Sequence, residues 1–299
     1  MTKKKVHLVL GSGGARGIAH IGVIELLEAE GYEIVSVTGC SMGAVVGGMY
    51  CAGFLDAYKN WLLTLNKTKV FRLFDFTFSK SGFVKGEKIL SQLKILTGEQ
   101  DIENLPIPYT AVATDILHKK EVHFQSGNLY NAMRASMGIP GVFTPVQEAG
   151  TYLVDGSVLN PLPLNLVNKK ANELVVAVNL NGHCNTASDP AQTAAPINAS
   201  NTWTWLRSLP LTPKKKNNDS GPVPRFSLFE LLSTTYDFTQ DRLTEMMIQN
   251  YPPDVLIEIP RNSCGVFEFY KAADLIALGK HAYLAAMMAF KKEEDQKVC

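Results

Sequence analysis

Short apolar runs alternate along this chain with stretches in which apolar residues recur every three or four positions. Val6-His7-Leu8-Val9-Leu10 reads as a buried strand that ends on glycine. From Ile18 the pattern turns helical, with Ile21, Ile24, Leu26 and Leu27 on one side and Glu25, Glu28 and Glu30 outside. Ile34-Val35-Ser36-Val37-Thr38 is the next strand. The Gly- and Ala-rich residues 44–52 suit a helix pressed close against a sheet. Strand, helix, strand, helix in that order predicts a parallel sheet covered on both faces.

The pattern continues through residues 55–65 as helix. Residues 70–78 are dense in aromatics (Phe71, Phe74, Phe76, Phe78), which fits either a hairpin or loop packed over the core or one wall of an apolar substrate pocket. Residues 86–96 are helical. Pro106 and Pro108 introduce a strand at 109–115, and 121–125 returns as its neighbour. A helix over 128–137 must stop at Gly138-Ile139-Pro140-Gly141, because proline cannot continue it and forces extended geometry on the residue before. Thr151-Tyr152-Leu153-Val154 is a strand ending at Asp155-Gly156-Ser157. Pro161 and Pro163 are expected to open another helix, and 173–180 is a fully buried strand. After a break come a helix over 228–249, a last strand over 254–259 and an amphipathic closing helix over 270–290, with 291–299 a charged, frayed tail. The expected fold is a three-layer α/β/α arrangement with a mainly parallel central sheet. It forms one domain over 1–299: a core at 6–182, an insertion or lid at 183–225, and 226–290 completing the domain.

Composition changes this picture only in places. The 299 residues are 46% hydrophobic with a formal charge of +1, enough for a large core and no basis for nucleic acid as a partner. Residues 183–225 shift to Asn, Thr, Ala, Ser and Pro with a Lys214-Lys215-Lys216 run. They read as a mobile or disordered insertion with incidental tryptophans or, alternatively, as a lid whose Trp203, Trp205 and Arg207 touch a lipid surface. The apolar run at the start is too short for a signal peptide and no stretch is long enough to span a bilayer, so the expected location is cytoplasmic, peripheral to a membrane at most. The five cysteines (Cys40, Cys51, Cys184, Cys264, Cys299) have no metal-ligand spacing and are expected as reduced thiols. No metal or other cofactor is implied.

Two turns carry the candidate chemistry. Gly39-Cys40-Ser41-Met42-Gly43 has the spacing G-x-S-x-G, in which a serine sits on a tight strand-to-helix bend and flanking glycines avoid collision. Gly11-Ser12-Gly13-Gly14-Ala15-Arg16-Gly17 offers backbone N–H groups at a helix N-terminus, suited to an oxyanion. The same turn also suggests a dinucleotide site, but position 12 is Ser where G-x-G-x-x-G ending at Gly17 needs glycine. Asp155 ends a later strand, is followed by glycine, and is expected at the same sheet edge. Among the histidines, His183 alone lies where a late triad base would. His20 reads as structural, His281 as a helix residue, and Cys40 as a rival nucleophile to Ser41. A serine served directly by aspartate fits better.

Taken together, the motifs resemble those of the patatin-like phospholipase family, most closely its smaller bacterial members. Gly13-Gly14-Ala15-Arg16-Gly17 is similar to the family's oxyanion loop and Gly39-Cys40-Ser41-Met42-Gly43 to its nucleophile bend. Ala135-Ser136-Met137-Gly138-Ile139-Pro140 with Phe143 is similar to its mid-chain block, and Asp155-Gly156-Ser157 to its aspartate turn. Ser157 departs from the glycine or alanine commoner there. The resemblance implies a Ser41–Asp155 dyad without histidine, an oxyanion hole from Gly11, Gly13, Gly14, Ala15 and Arg16, and a nucleophile elbow flanked by Gly39 and Gly43. The implied activity is hydrolysis of carboxylic esters in phospholipids or other acyl lipids. Acyl transfer by the same serine, or a regulatory scaffold with little turnover, are the alternatives.

Overall fold

In a computed structural model the described residues are 3–79, 82–148, 150–182 and 228–298. Five strands run parallel: β1 (Lys5–Leu10), β2 (Glu33–Cys40), β5 (Tyr109–Asp115), β9 (Leu174–Gly182) and β10 (Val255–Pro260), with neighbours in the order β10-β9-β1-β2-β5. Beyond β5 the sheet turns antiparallel through β6 (Lys120–Phe124), β7 (Val146–Glu148) and β8 (Thr151–Asp155). A separate ribbon joins β3 (Phe76–Ser79) to β4 (Gly82–Val84).

Alternation along the strands explains the layers. Val6, Leu8 and Leu10 of β1, with Leu174, Val176, Val178 and Leu180 of β9, face the main core. That core is closed by α1 (Ala19–Ala29), α2 (Met42–Cys51), α6 (Leu129–Ser136) and α8 (Ala272–Val298). Val9, Val175 and Ala177 face the other way onto a smaller cluster with Leu162, Leu164 and, from α7 (Leu228–Asn250), Met247 and Ile248. Both faces of these strands are apolar, as a covered parallel sheet requires. The expected three-layer, mainly parallel α/β fold is what the chain forms. Of three further helices, α3 (Leu55–Leu63) packs on α2, α5 (Glu87–Thr97) on α6, and α4 (Lys67–Leu73) on a 3-10 turn at Phe269–Lys271.

Several expectations need correcting. Pro161 and Pro163 open no α-helix, only a three-residue 3-10 turn at Leu164–Leu166. The segment stays extended because it braces the glycine turn, with Pro161 O accepting from Ser12 N at 2.9 Å while Leu162 and Leu164 fill the smaller cluster. The aromatic stretch begins as helix α4, capped by Asn66, whose side chain accepts from Lys69 N. Only after that does it become a ribbon. The charged tail is helical through Val298, with Lys291 paired to Glu30 and Glu294 to Lys4. Residues 183–225, with Trp203, Trp205, Arg207 and His183, lie outside the described residues. No described helix is long and apolar enough to cross a membrane.

Candidate active site

Strand β2 ends at Cys40, and the chain turns at Ser41 directly into α2. Ser41 holds φ 54°, ψ −123°, a left-handed geometry that a side chain adopts only at a cost of about 1–3 kcal/mol. The turn closes because residue 43 lacks a Cβ, which would collide with Leu10 O. The Ser41 N–H donates to Ser136 Oγ at 2.9 Å, and that hydroxyl donates to Val112 O at 2.6 Å. One side chain of α6 thus ties the bend to β5.

Strand β5 also places the aspartate. Its edge away from β6 pairs residues 109–112 with the end of β2, Cys40 opposite Val112. The next residues, 113–115, pair with β8, Asp155 opposite Ala113. Strands β2 and β8 therefore meet nearly end to end along one neighbour, running in opposite directions. Asp155 was expected at the same sheet edge as the two glycine-rich turns. It reaches that edge from an antiparallel strand arriving from beyond it.

The result is a hydrogen bond from Ser41 Oγ to Asp155 Oδ2 at 2.6 Å. Asp155 Oδ1 accepts from Ser157 N at 2.9 Å and Ser157 Oγ at 2.6 Å. Asp155 is fully buried, and burial raises its carboxyl from 3.8 to about 6 against the lowering effect of these hydrogen bonds. Ser157 Oγ lies 2.9 Å from Tyr236 OH of α7; with its own proton given to Asp155, it receives Tyr236's. Cys40 Sγ stands 3.9 Å from Asp155 Oδ1, fully buried, and burial pushes its thiol well up, so it is no thiolate nucleophile. Cys51 and Cys264 are free thiols as well; Cys184 and Cys299 lie outside the described residues.

The glycine turn divides its labour. Gly11 N donates to Val178 O at 3.0 Å and Ala15 N to Val266 O at 2.8 Å, so these two expected oxyanion donors are already engaged and hold the turn in place. Arg16 contributes its side chain: the guanidinium donates to Gly13 O, Arg261 O and Asn181 Oδ1, and burial lowers it to about 10. Gly13 and Gly14 border the same recess as Ser41 and Asp155, and neither N–H has a partner among the described residues; the same holds for Met42 N, just after the serine. His20 Nε2–H donates to Gly11 O at 3.0 Å and its ring, kept neutral by a pKa lowered to about 4 by burial, supports the turn. His281 is exposed on α8, and no described histidine is bonded to Ser41.

Two spaces meet at Ser41. An apolar cavity of about 670 Å³, its mouth included, is walled by Val45, Trp61, Leu65, Phe74, Phe143 and Phe267. On the other side lies a recess bordered by the polar side chains of Ser12, Tyr236, Asp237 and Gln240. Gly14, Ile139 and Val266 border both. Phe74 walls the cavity, as one of the two readings of the aromatic stretch has it, whereas Phe71 and Phe76 point outward and the side chain of Phe78 is not among those described. Sequence reasoning missed Ser136 as a tie, and it missed Tyr236 and Val266 entirely. Ser136 lay inside a recognised block, but nothing in a helix pattern marks Tyr236. Among the described residues no cluster of His, Cys, Asp or Glu is arranged to hold a metal ion.

Comparison with known proteins identifies relatives of this chain. The sequence model of the patatin-like phospholipase family matches residues 8–167. An uncharacterized NTE family protein of Mycobacterium tuberculosis is 36% identical across 98% of this chain and 94% of its own length. A lysophospholipase NTE1 of Scheffersomyces stipitis is 29% identical over 60% of this chain but only 12% of its own length. Among solved structures, VipD of Legionella pneumophila aligns over 96% of this chain and 67% of its own at a TM-score of 0.47 and 14% identity.

Proposed function

Since the chain belongs to the patatin-like phospholipase family, a family of lipid ester hydrolases, we propose that it is a serine acyl hydrolase working through a Ser41–Asp155 dyad and an acyl-enzyme. The observation that carries this reading is the 2.6 Å hydrogen bond from a strained, elbow-borne serine to a buried carboxylate. Ser41 Oγ adds to the ester carbonyl as its proton passes to Asp155. The carbonyl electrons move onto the oxygen, where the unengaged N–H groups of Gly13, Gly14 and Met42 are the donors at hand. Collapse expels the alcohol, which takes the proton from Asp155. Water then gives a proton to Asp155, adds to the acyl-enzyme and releases the fatty acid, and the proton returns to Ser41.

An aspartate at its ordinary pKa is a weak base, and burial that lifts it to about 6 brings it close to the working pH. The apolar cavity suits the acyl chain and the polar recess the alcohol portion. The relatives named as lysophospholipases match over a small part of their length, so their substrate is carried over as a class, acyl-bearing phospholipids, and no further.

The test is labelling by a fluorophosphonate probe together with hydrolysis of p-nitrophenyl esters and phospholipids. Ser41→Ala should abolish labelling and turnover, and Asp155→Asn should lower turnover by about 10²–10⁴ in protein that remains folded. Full activity in Asp155→Asn with loss in His183→Ala would replace the dyad by a histidine base. Absent labelling in folded wild-type protein would favour the scaffold reading.

A further inference from the structure

Helix α4 is apolar on two sides. Val70 and Leu73, with Phe74 next in the chain, line the cavity beside Ser41, whereas Phe71 is 61% exposed to solvent. Phe76 on β3 is 41% exposed and its ring lies 5.3 Å from that of Phe71. The rings then continue inward, Phe76 to Phe74 at 6.1 Å and Phe74 to Phe267 at 5.3 Å, and the last two are cavity walls. An unbroken file of aromatic rings therefore joins the surface to the space that opens on the candidate nucleophile.

Cations surround the outer end of this file. Lys67, Lys69 and Arg72 are exposed on α4 itself, Lys67 Nζ standing 5.2 Å from the centre of the Tyr270 ring and Lys69 Nζ donating to Thr64 O at 2.9 Å. Lys88 Nζ reaches Arg72 O at 3.4 Å, and Lys85, just after β4, is exposed. Two carboxylates lie close by, Asp75 and Glu87, and Asp75 is taken up by the N–H groups of Gly86 and Glu87 at 2.6 and 2.9 Å. Exposed aromatic rings within a collar of Lys and Arg match the boundary between acyl chains and anionic headgroups, where rings lose water and cations meet phosphate. A polar partner protein would leave the rings uncompensated, and an apolar one would leave the cations so.

We propose that α4 and the adjoining edge of β3 dock on an anionic phospholipid bilayer, Phe71 and Phe76 entering the acyl boundary and Lys67, Lys69 and Arg72 resting on headgroups. The aromatic file is then the path by which an acyl chain leaves the bilayer for the cavity, a role that rests on the acyl-hydrolase reading, whereas the docking itself does not.

The test is co-sedimentation of the full chain with phosphatidylcholine vesicles, with and without phosphatidylglycerol, beside two activities: a soluble short-chain p-nitrophenyl ester and vesicle phospholipid. Wild-type protein should bind the anionic vesicles and release them in high salt. Lys69→Gln/Arg72→Gln should weaken binding roughly thirtyfold, and Phe71→Ser at least about tenfold. Both variants should lower vesicle hydrolysis in proportion and leave soluble-ester hydrolysis unchanged, which also reports that they are folded. Wild-type binding by both variants, or equal binding to neutral vesicles, would overturn the proposal. So would Phe71→Ser turning a dimer into a monomer with vesicle binding intact. If wild type hydrolyses no ester yet binds vesicles as described, the hydrolase reading fails and the docking stands.

Discussion

At Ser41 the backbone and the side chain make opposite demands. The bend that exposes Oγ requires φ 54°, which glycine tolerates and alanine does not. Ser41→Gly and Ser41→Ala both lose the bond to Asp155, so their comparison isolates the backbone. Denaturant unfolding should find Ser41→Gly the more stable by about 1 kcal/mol, the reverse of the usual order for these residues. Asp155 carries a second expectation. Its carboxyl is raised from 3.8 to about 6 by burial, so the folded protein holds that proton more tightly than the unfolded chain. The folded state is therefore favoured below about 4, and its advantage is lost as pH rises toward 6 and is level above. The amide of an asparagine at this position does not titrate, so the stability of Asp155→Asn relative to wild type should climb by roughly 3 kcal/mol across that window. The rate should rise through the same pH, as the base loses its proton, and Ser157→Ala should move that limb to higher pH by removing a hydrogen bond to the carboxylate. Ser41, Gly39 and Gly43 were legible in the chain because a bend that tight admits few residue types, and Asp155 because it closes a strand signal and is followed by glycine. The engagement of Gly11 and Ala15 was not, since their partners, Val178 and Val266, lie far along the sequence and accept through backbone oxygens that any residue has.

Among the elements, β5 does the aligning and α6 fixes the alignment. Because β2 and β8 share one edge of β5, the nucleophile bend and the aspartate sit at adjacent registers, Val112 and Ala113, whatever the length of chain between them. The gap where one strand ends and the other begins leaves Val112 O and Ser41 N without ladder partners, and the Ser136 hydroxyl serves both. Ser136→Ala should leave both groups buried and unpaired, costing about 1–3 kcal/mol or somewhat more in thermal or denaturant unfolding. It should lower kcat with KM and the pH limb unchanged, because it acts on the position of Ser41 and not on the base; a shifted limb would mean that it tunes Asp155 instead. Strand periodicity showed that residues 151–155 form a strand but carries no sign of its direction. Likewise Pro161 and Pro163 looked like helix openers because proline suits a first helical turn, and only the tertiary bond from Ser12 explains why the chain stays extended there.

At the scale of the molecule, the family match ends at residue 167, yet the site does not. Tyr236 of α7 backs Ser157, and Val266 and Phe267, just before α8, hold the glycine turn and wall the cavity. What presses this last third onto the first is the crossing of α1 and α8. There a Cβ at Gly22 would strike Ile276 O, and one at Gly279 would strike Ala19 O. Backbones in such contact leave no flexible side chain to give way. Gly279→Ala, normally worth about 1 kcal/mol of helix stability, should here destabilise by about 1–3 kcal/mol, and Gly22→Ala similarly. Since α8 also packs on the 3-10 turn Gly14–Ile18, displacing it disturbs the oxyanion donors, and fluorophosphonate labelling should slow in both variants. The two collisions belong to one crossing, so a helix already pushed off by the first methyl has room for the second. Unfolding of the Gly22→Ala/Gly279→Ala pair should therefore cost clearly less than the two single changes added together, and strict additivity would show that the helices yield independently at each contact.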